Sequence, residues 1–148
     1  MIRRTLIQLL SILVLYFITY GTWCKDFDKT LNWQKWSPKV FEQAQEKGQL
    51  VLLNLTATGC TFCRKMDETT YKNPQVIETI NRNYIPVHAN EEFYPKLAKR
   101  YENYGRPATI IFDGNGTEII KRRGYLRPQW MVWLLEAVAQ NPSPKAHQ

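Results

Sequence analysis

Residues 50–65 read LVLLNLTATGCTFCRK. Leu50 to Leu55 is a short, almost continuous apolar run with no turn residue, which is how a strand buried on both faces reads. Thr56-Ala57-Thr58-Gly59 is a loop, and Cys60 follows it at once. From Cys63 to about Thr70 the chain carries helix formers and no breaker. A buried strand therefore passes through a short loop into a helix, with two cysteines at the joint.

The segments on either side extend this pattern. Ser37-Pro38 pairs a capping hydroxyl with proline at the first helical position. Val40, Phe41 and Ala44 share one face of that helix, and Gly48 ends it. Asn73-Pro74 starts another helix, with Val76, Ile77 and Ile80 on one side. Tyr84 to Ala89 reads as a second strand, although Pro86 counts against a long central one. Leu97, Ala98 and Tyr101 give residues 93–104 a helical pattern, which Gly105-Arg106-Pro107 breaks. Ala108 to Phe112 is a strand, Asp113 to Gly116 a hairpin turn, and Thr117 to Arg123 the returning strand. Pro128 opens a last helix with Met131, Leu134, Leu135 and Val138 inward. The order is an α/β layer architecture with helices on both faces of the sheet. One domain over residues 37–140 is expected, after a polar lead-in at 25–36 and before a loose tail at 141–148.

C-x-x-C spacing alone serves zinc binding, haem attachment or thiol chemistry. A structural zinc site takes four ligands, usually two such pairs. This chain has no second pair, and His88 and His147 stand apart in the sequence. Haem attachment needs histidine directly after the second cysteine, where Arg64 stands. No metal or other cofactor is expected, and cycling between dithiol and disulfide remains. At a helix N-terminus the first sulfur meets free N–H groups and the positive end of the helix dipole. Both favour thiolate, the nucleophilic form. Arg64 and Lys65 add positive charge nearby. Cys60 is thus the candidate nucleophile. Cys63, one turn further in, is the candidate thiol that resolves a mixed disulfide. The bland alternative is a permanent disulfide or two idle thiols.

The segments LVLLNL, ATGCTFCRKMDETTY, NPQVIETI, YIPVHANEE, YENYGRPATIIFDGNGTEI and GYLRPQWMVWLLEAV follow one another from Leu50 to Val138. In that order they resemble the thioredoxin superfamily. Within it, the chain is similar to periplasmic thioredoxin-like domains related to the C-terminal domain of the membrane thiol:disulfide interchange protein. The resemblance implies a thioredoxin fold: a central mixed sheet, helices on both faces, and a C-terminal β-hairpin plus helix. It implies that Pro107 is a cis-proline facing the dithiol, beside which a substrate peptide pairs. It also implies protein disulfide substrates and a membrane protein as electron donor. Three positions depart from the family. Gly59 stands where tryptophan is usual, Asn54 where many relatives carry a buried acid, and Arg106 where a small or aliphatic residue often precedes the proline. Asn54 does not titrate, so Asp67 or Glu68 becomes the candidate for proton transfer. The Arg106 guanidinium either stabilises a thiolate, favours acidic substrates or points into solvent.

The chain has 148 residues and a net charge of +7, with Arg3 and Arg4 among its cations. No nucleic-acid motif accompanies the charge, and Lys121-Arg122-Arg123 reads as solvated surface. Two arginines followed by uncharged residues 5–24 form either an export signal or a membrane anchor. Both place the rest of the chain outside the cytoplasm, in the periplasm or an equivalent compartment where disulfides persist. Cys24 is preceded by Trp23, which argues against a lipidation site. A rival function for the dithiol is binding and delivery of Cu(I), with Met66 one turn from Cys63 as a possible further ligand. A redox-silent interaction domain is the other alternative.

Overall fold

The computed structural model describes residues 30–147. The segment 1–24, with its signal or anchor reading, and Cys24 lie outside the described residues. Among the described residues five strands form one sheet in the order β1-β3-β2-β4-β5. They are β1 (Gln34–Lys35), β2 (Leu50–Thr56), β3 (Tyr84–Asn90), β4 (Ala108–Phe112) and β5 (Glu118–Arg123). The first three run parallel; β4 is antiparallel to β2, and β5 to β4. The sheet is therefore mixed and ends in a hairpin.

Among the described residues five helices cover it: α1 (Lys39–Lys47), α2 (Thr61–Glu68), α3 (Pro74–Asn83), α4 (Pro95–Arg100) and α5 (Pro128–Gln140). Strand alternation sorts the core in two. Val51, Leu53, Leu55, Val87 and Ile110 pack with Val40 and Ala44 of α1 and Leu97 of α4. Leu52, Tyr84 and Ile111 face the other way, onto Met66, Val76, Ile80 and Leu135 from α2, α3 and α5. The Tyr84 hydroxyl donates to the Leu135 carbonyl at 2.6 Å and ties β3 to α5.

Several expectations change. The lead-in supplies an edge strand, because Gln34 and Lys35 pair with Val87 and His88. Trp33 lies edge-on against Tyr71, and Trp36 against Phe41. Pro86 sits inside β3, opposite Leu52. Its missing N–H is tolerated because β1 pairs only at Val87 and His88 and leaves that flank of Pro86 outside the ladder. The helix expected over 93–104 is three pieces: a 3₁₀ turn at Glu91–Phe93, then α4, then a 3₁₀ turn at Glu102–Tyr104. Pro95 begins a helix of its own at its first turn, as proline favours. In the tail, Pro144–His147 forms a 3₁₀ turn near β5.

Glu118 at the start of β5 accepts from the Tyr101 hydroxyl at 2.7 Å and from Lys121 Nζ at 2.7 Å, and it pairs with Arg100. Burial alone would raise its pKa; the two hydrogen bonds and the Arg100 charge outweigh it and hold the carboxyl below its usual range. A lowered folded pKa gives stability that is present above the unfolded value, about 4.3, and is lost as pH falls through the folded one. Glu118→Gln is expected to cost about 1 kcal/mol at pH 7, a figure reduced for partial exposure. Denaturation at pH 7 and at pH 3 checks this: the difference from wild type should shrink at the lower pH.

Candidate functional site

The dithiol lies where β2 hands over to α2. Gly59 has φ of +73°, in the left-handed region that favours glycine, and it turns the chain into the helix. A Cβ there would meet nothing within 4 Å, so the left-handed backbone rather than crowding disfavours a side chain at this position. Cys60 is the N-cap of α2, and its Sγ accepts the Cys63 N–H at 3.1 Å. The sulfur thus occupies the place a serine or aspartate oxygen takes at other helix starts. Cys60 and Cys63 are joined in a disulfide with Cα atoms 5.3 Å apart. The two differ in access: Cys60 is half-buried, whereas Cys63 is only 4% exposed.

An open cleft of about 280 Å³ adjoins the disulfide, and both cysteines, Arg64, Asp67 and His88 line it. Arg64 lies at the cleft beside the disulfide, while Lys65 Nζ lies over the Tyr125 ring, 4.9 Å from its centroid. Asp67 is held above the usual carboxylate range chiefly by burial; His88 pulls it back and the Glu68 charge pushes it further up. Glu68 itself is exposed. Asn54 is fully buried in β2, and neither Nδ2 nor Oδ1 has a hydrogen-bond partner. Met66 is fully buried in the core beneath α2.

The Arg106–Pro107 peptide bond is cis. Pro107 is buried, and its carbonyl accepts the Gly124 N–H at 2.7 Å. The Arg106 side chain takes a course that its position alone does not reveal. It is 9% exposed, pairs with Glu91 at 2.6 Å, and donates through Nη1 to the carbonyls of Tyr101 and Gly105. Its charge is spent on the half-buried carboxylate of Glu91, neither on the sulfurs nor in solvent. The Glu91 turn is held a second time by Asn90 Nδ2, which donates to Thr58 Oγ1 at 3.0 Å in the loop before Cys60. One turn therefore braces both the dithiol loop and the proline loop. Phe62 and Phe93 stand exposed on these segments.

A mixed sheet of this order, with a C-x-x-C pair capping the helix after a central strand, is a thioredoxin fold carrying a redox pair. Solved structures with the same fold include a thioredoxin from Thermus thermophilus and a protein described as DsbH oxidoreductase. The first aligns with a TM-score of 0.65 at 20% identity, over 74% of this chain and 87% of its own. The second aligns with a TM-score of 0.63 at 14% identity, over 76% of this chain and 86% of its own.

The family model Thioredox_DsbH, described as a protein of unknown function, DUF255, matches residues 20–116. The chain belongs to that family, among the thioredoxin-like disulfide oxidoreductases. The thiol:disulfide interchange protein DsbD of Campylobacter jejuni is 30% identical over 94 residues, covering 58% of this chain and 16% of that protein. The chain spans less than a fifth of the length of the curated relatives it matches.

Proposed function

We propose that this protein is an exported thiol:disulfide oxidoreductase that acts on protein disulfides and works as a reductant. One observation carries the assignment of roles. The Cys60 sulfur caps a helix start at an accessible edge, while Cys63 lies beneath it, shielded. Cys60 as a thiolate attacks a client disulfide, and Cys63 then attacks Cys60 Sγ and frees the reduced client. By the likeness to the family, the backbone at the cis Arg106–Pro107 bond is the edge on which the client pairs, with exposed Phe62 and Phe93 as apolar contacts. The guanidinium of Arg106 acts there by positioning, through Glu91.

The reducing direction and a membrane protein as electron donor rest on the likeness to DsbD. An extracytoplasmic location rests on that likeness and on the apolar segment 5–24, cleaved or kept as an anchor. Among the described residues no helix is long and apolar enough to cross a membrane. The test of direction is the reduction potential of the full chain, titrated in dithiol–disulfide buffers. A reductant is expected near about −270 mV, whereas a strong oxidant lies near about −120 mV. A value at the upper end overturns the reducing direction.

A further inference from the structure

One rung of the sheet sets three polar residues side by side beneath the dithiol. Asn54 of β2 stands opposite His88 of β3 and opposite Thr109 of β4. All three alternate with residues of the far-side core, so they point to the α2 side, under the dithiol. Asn54 and Thr109 are fully buried; neither polar atom of the Asn54 amide has a hydrogen-bond partner, while the Thr109 hydroxyl faces the buried hydroxyl of Tyr71. Groups of this kind are costly to bury and are rarely kept without a use. On the outer side Trp33 lies edge-on to Tyr71 at 4.9 Å and to His88 at 5.7 Å between ring centroids, in a second open cleft that Asp67 and His88 also line. At the open end His88 and Asp67 meet both cysteines in one cleft.

Resting on the reductant reading, we propose that His88, backed by Asp67, accepts the proton of Cys63 when that thiol resolves the mixed disulfide. Asn54, at the foot of the same rung, has no proton to exchange near neutral pH, whereas histidine is the side chain suited to it. The step balances. Cys60 thiolate attacks the client disulfide, forming the mixed disulfide and releasing one client thiolate. His88 takes the Cys63 proton and becomes imidazolium, and the Asp67 carboxylate steadies that charge. The Cys63 thiolate attacks Cys60 Sγ, closing the enzyme disulfide and releasing the second client thiolate. Two electrons pass to the client, and the imidazolium proton returns to solvent or to the leaving thiolate. Other ionisable groups face the pair from each neighbouring element: Arg64 and Glu68 from α2, Lys35 from β1, and Tyr71 and Lys72 from the turn after α2. Burial raises the Asp67 pKa and a charge on His88 lowers it, so the carboxylate and the imidazolium favour each other.

Stopped-flow mixing of the reduced full chain, with Cys24→Ser in every variant so that only the two thiols of the pair remain, with 5,5′-dithiobis(2-nitrobenzoate) separates the two attacks. The first thiolate released reports Cys60, and the second reports Cys63. In His88→Gln the first phase should match wild type. The second should slow by about 10²-fold at pH 7. Its rate should then climb tenfold per pH unit, since hydroxide must take the proton, where the wild-type rate levels off. Asp67→Asn should slow the second phase severalfold relative to the first, and it carries the test if His88→Gln does not fold. A second phase within twofold of wild type at every pH, in whichever variant folds, overturns the role of His88. A wild-type chain with no fast first phase, or one that persists in Cys60→Ser, overturns the oxidoreductase reading instead.

Discussion

Cys60→Ser is expected to lower catalysed reduction of insulin disulfides by on the order of 10³-fold or more, since the attacking group of a covalent mechanism is lost. Cys63→Ser should behave differently. Its first attack survives, because the Cys60 sulfur still caps α2 and still meets the free N–H groups there. With no thiol beneath it, the mixed disulfide persists and accumulates as a covalent adduct, visible by non-reducing electrophoresis and mass spectrometry. The asymmetry follows from access, since Cys63 is buried and Cys60 is not. Full activity in both variants, or adducts trapped on Cys63 in Cys60→Ser, would show the roles to be wrong.

Phe112→Ala is expected to cost about 3–5 kcal/mol, the range for deleting a buried aromatic. Phe112 is 1% exposed at the end of β4. It sits 5.6 Å from Trp36 and 5.7 Å from Phe41 between ring centroids, so one side chain joins the lead-in, α1 and the sheet. Aromatic contacts of this kind add to simple burial. Thermal melting of the oxidised protein should fall by roughly 10–20 °C. A loss below about 1 kcal/mol would mean that Trp36 and Phe41 close over the cavity, and that the lead-in is not fixed where the structure places it.

The central strands and the dithiol were legible because both are local signals. LVLLNL has one reading as a buried strand, and the cysteine spacing at its exit narrows the chemistry by elimination. The hairpin announced itself through Asp113-Gly114-Asn115-Gly116; Asp113 Oδ1 accepts from the Asn115 and Thr117 N–H groups, as a turn aspartate does. What escaped depends on distant partners. A two-residue strand has no periodicity, so β1 is defined only by its pairing with Val87 and His88. Trp33 and Trp36 look like stray aromatics until Tyr71 and Phe41 are brought beneath them. The course of the Arg106 side chain depends on Glu91, fifteen residues away, and no spacing rule links the two. His88 reads as an isolated strand residue. Only the register against Asn54, together with the cleft shared with Asp67 and the cysteines, gives it neighbours worth a hypothesis.

Competitive alkylation of the reduced full chain with limiting iodoacetamide across pH 4–10, mapped by mass spectrometry, reads both the preferred sulfur and its ionisation. Modification is expected at Cys60, with a midpoint clearly below the value of about 8.5 for a free thiol. Preference for Cys63, or a Cys60 midpoint at or above that value, would contradict a helix-capped thiolate as the working group.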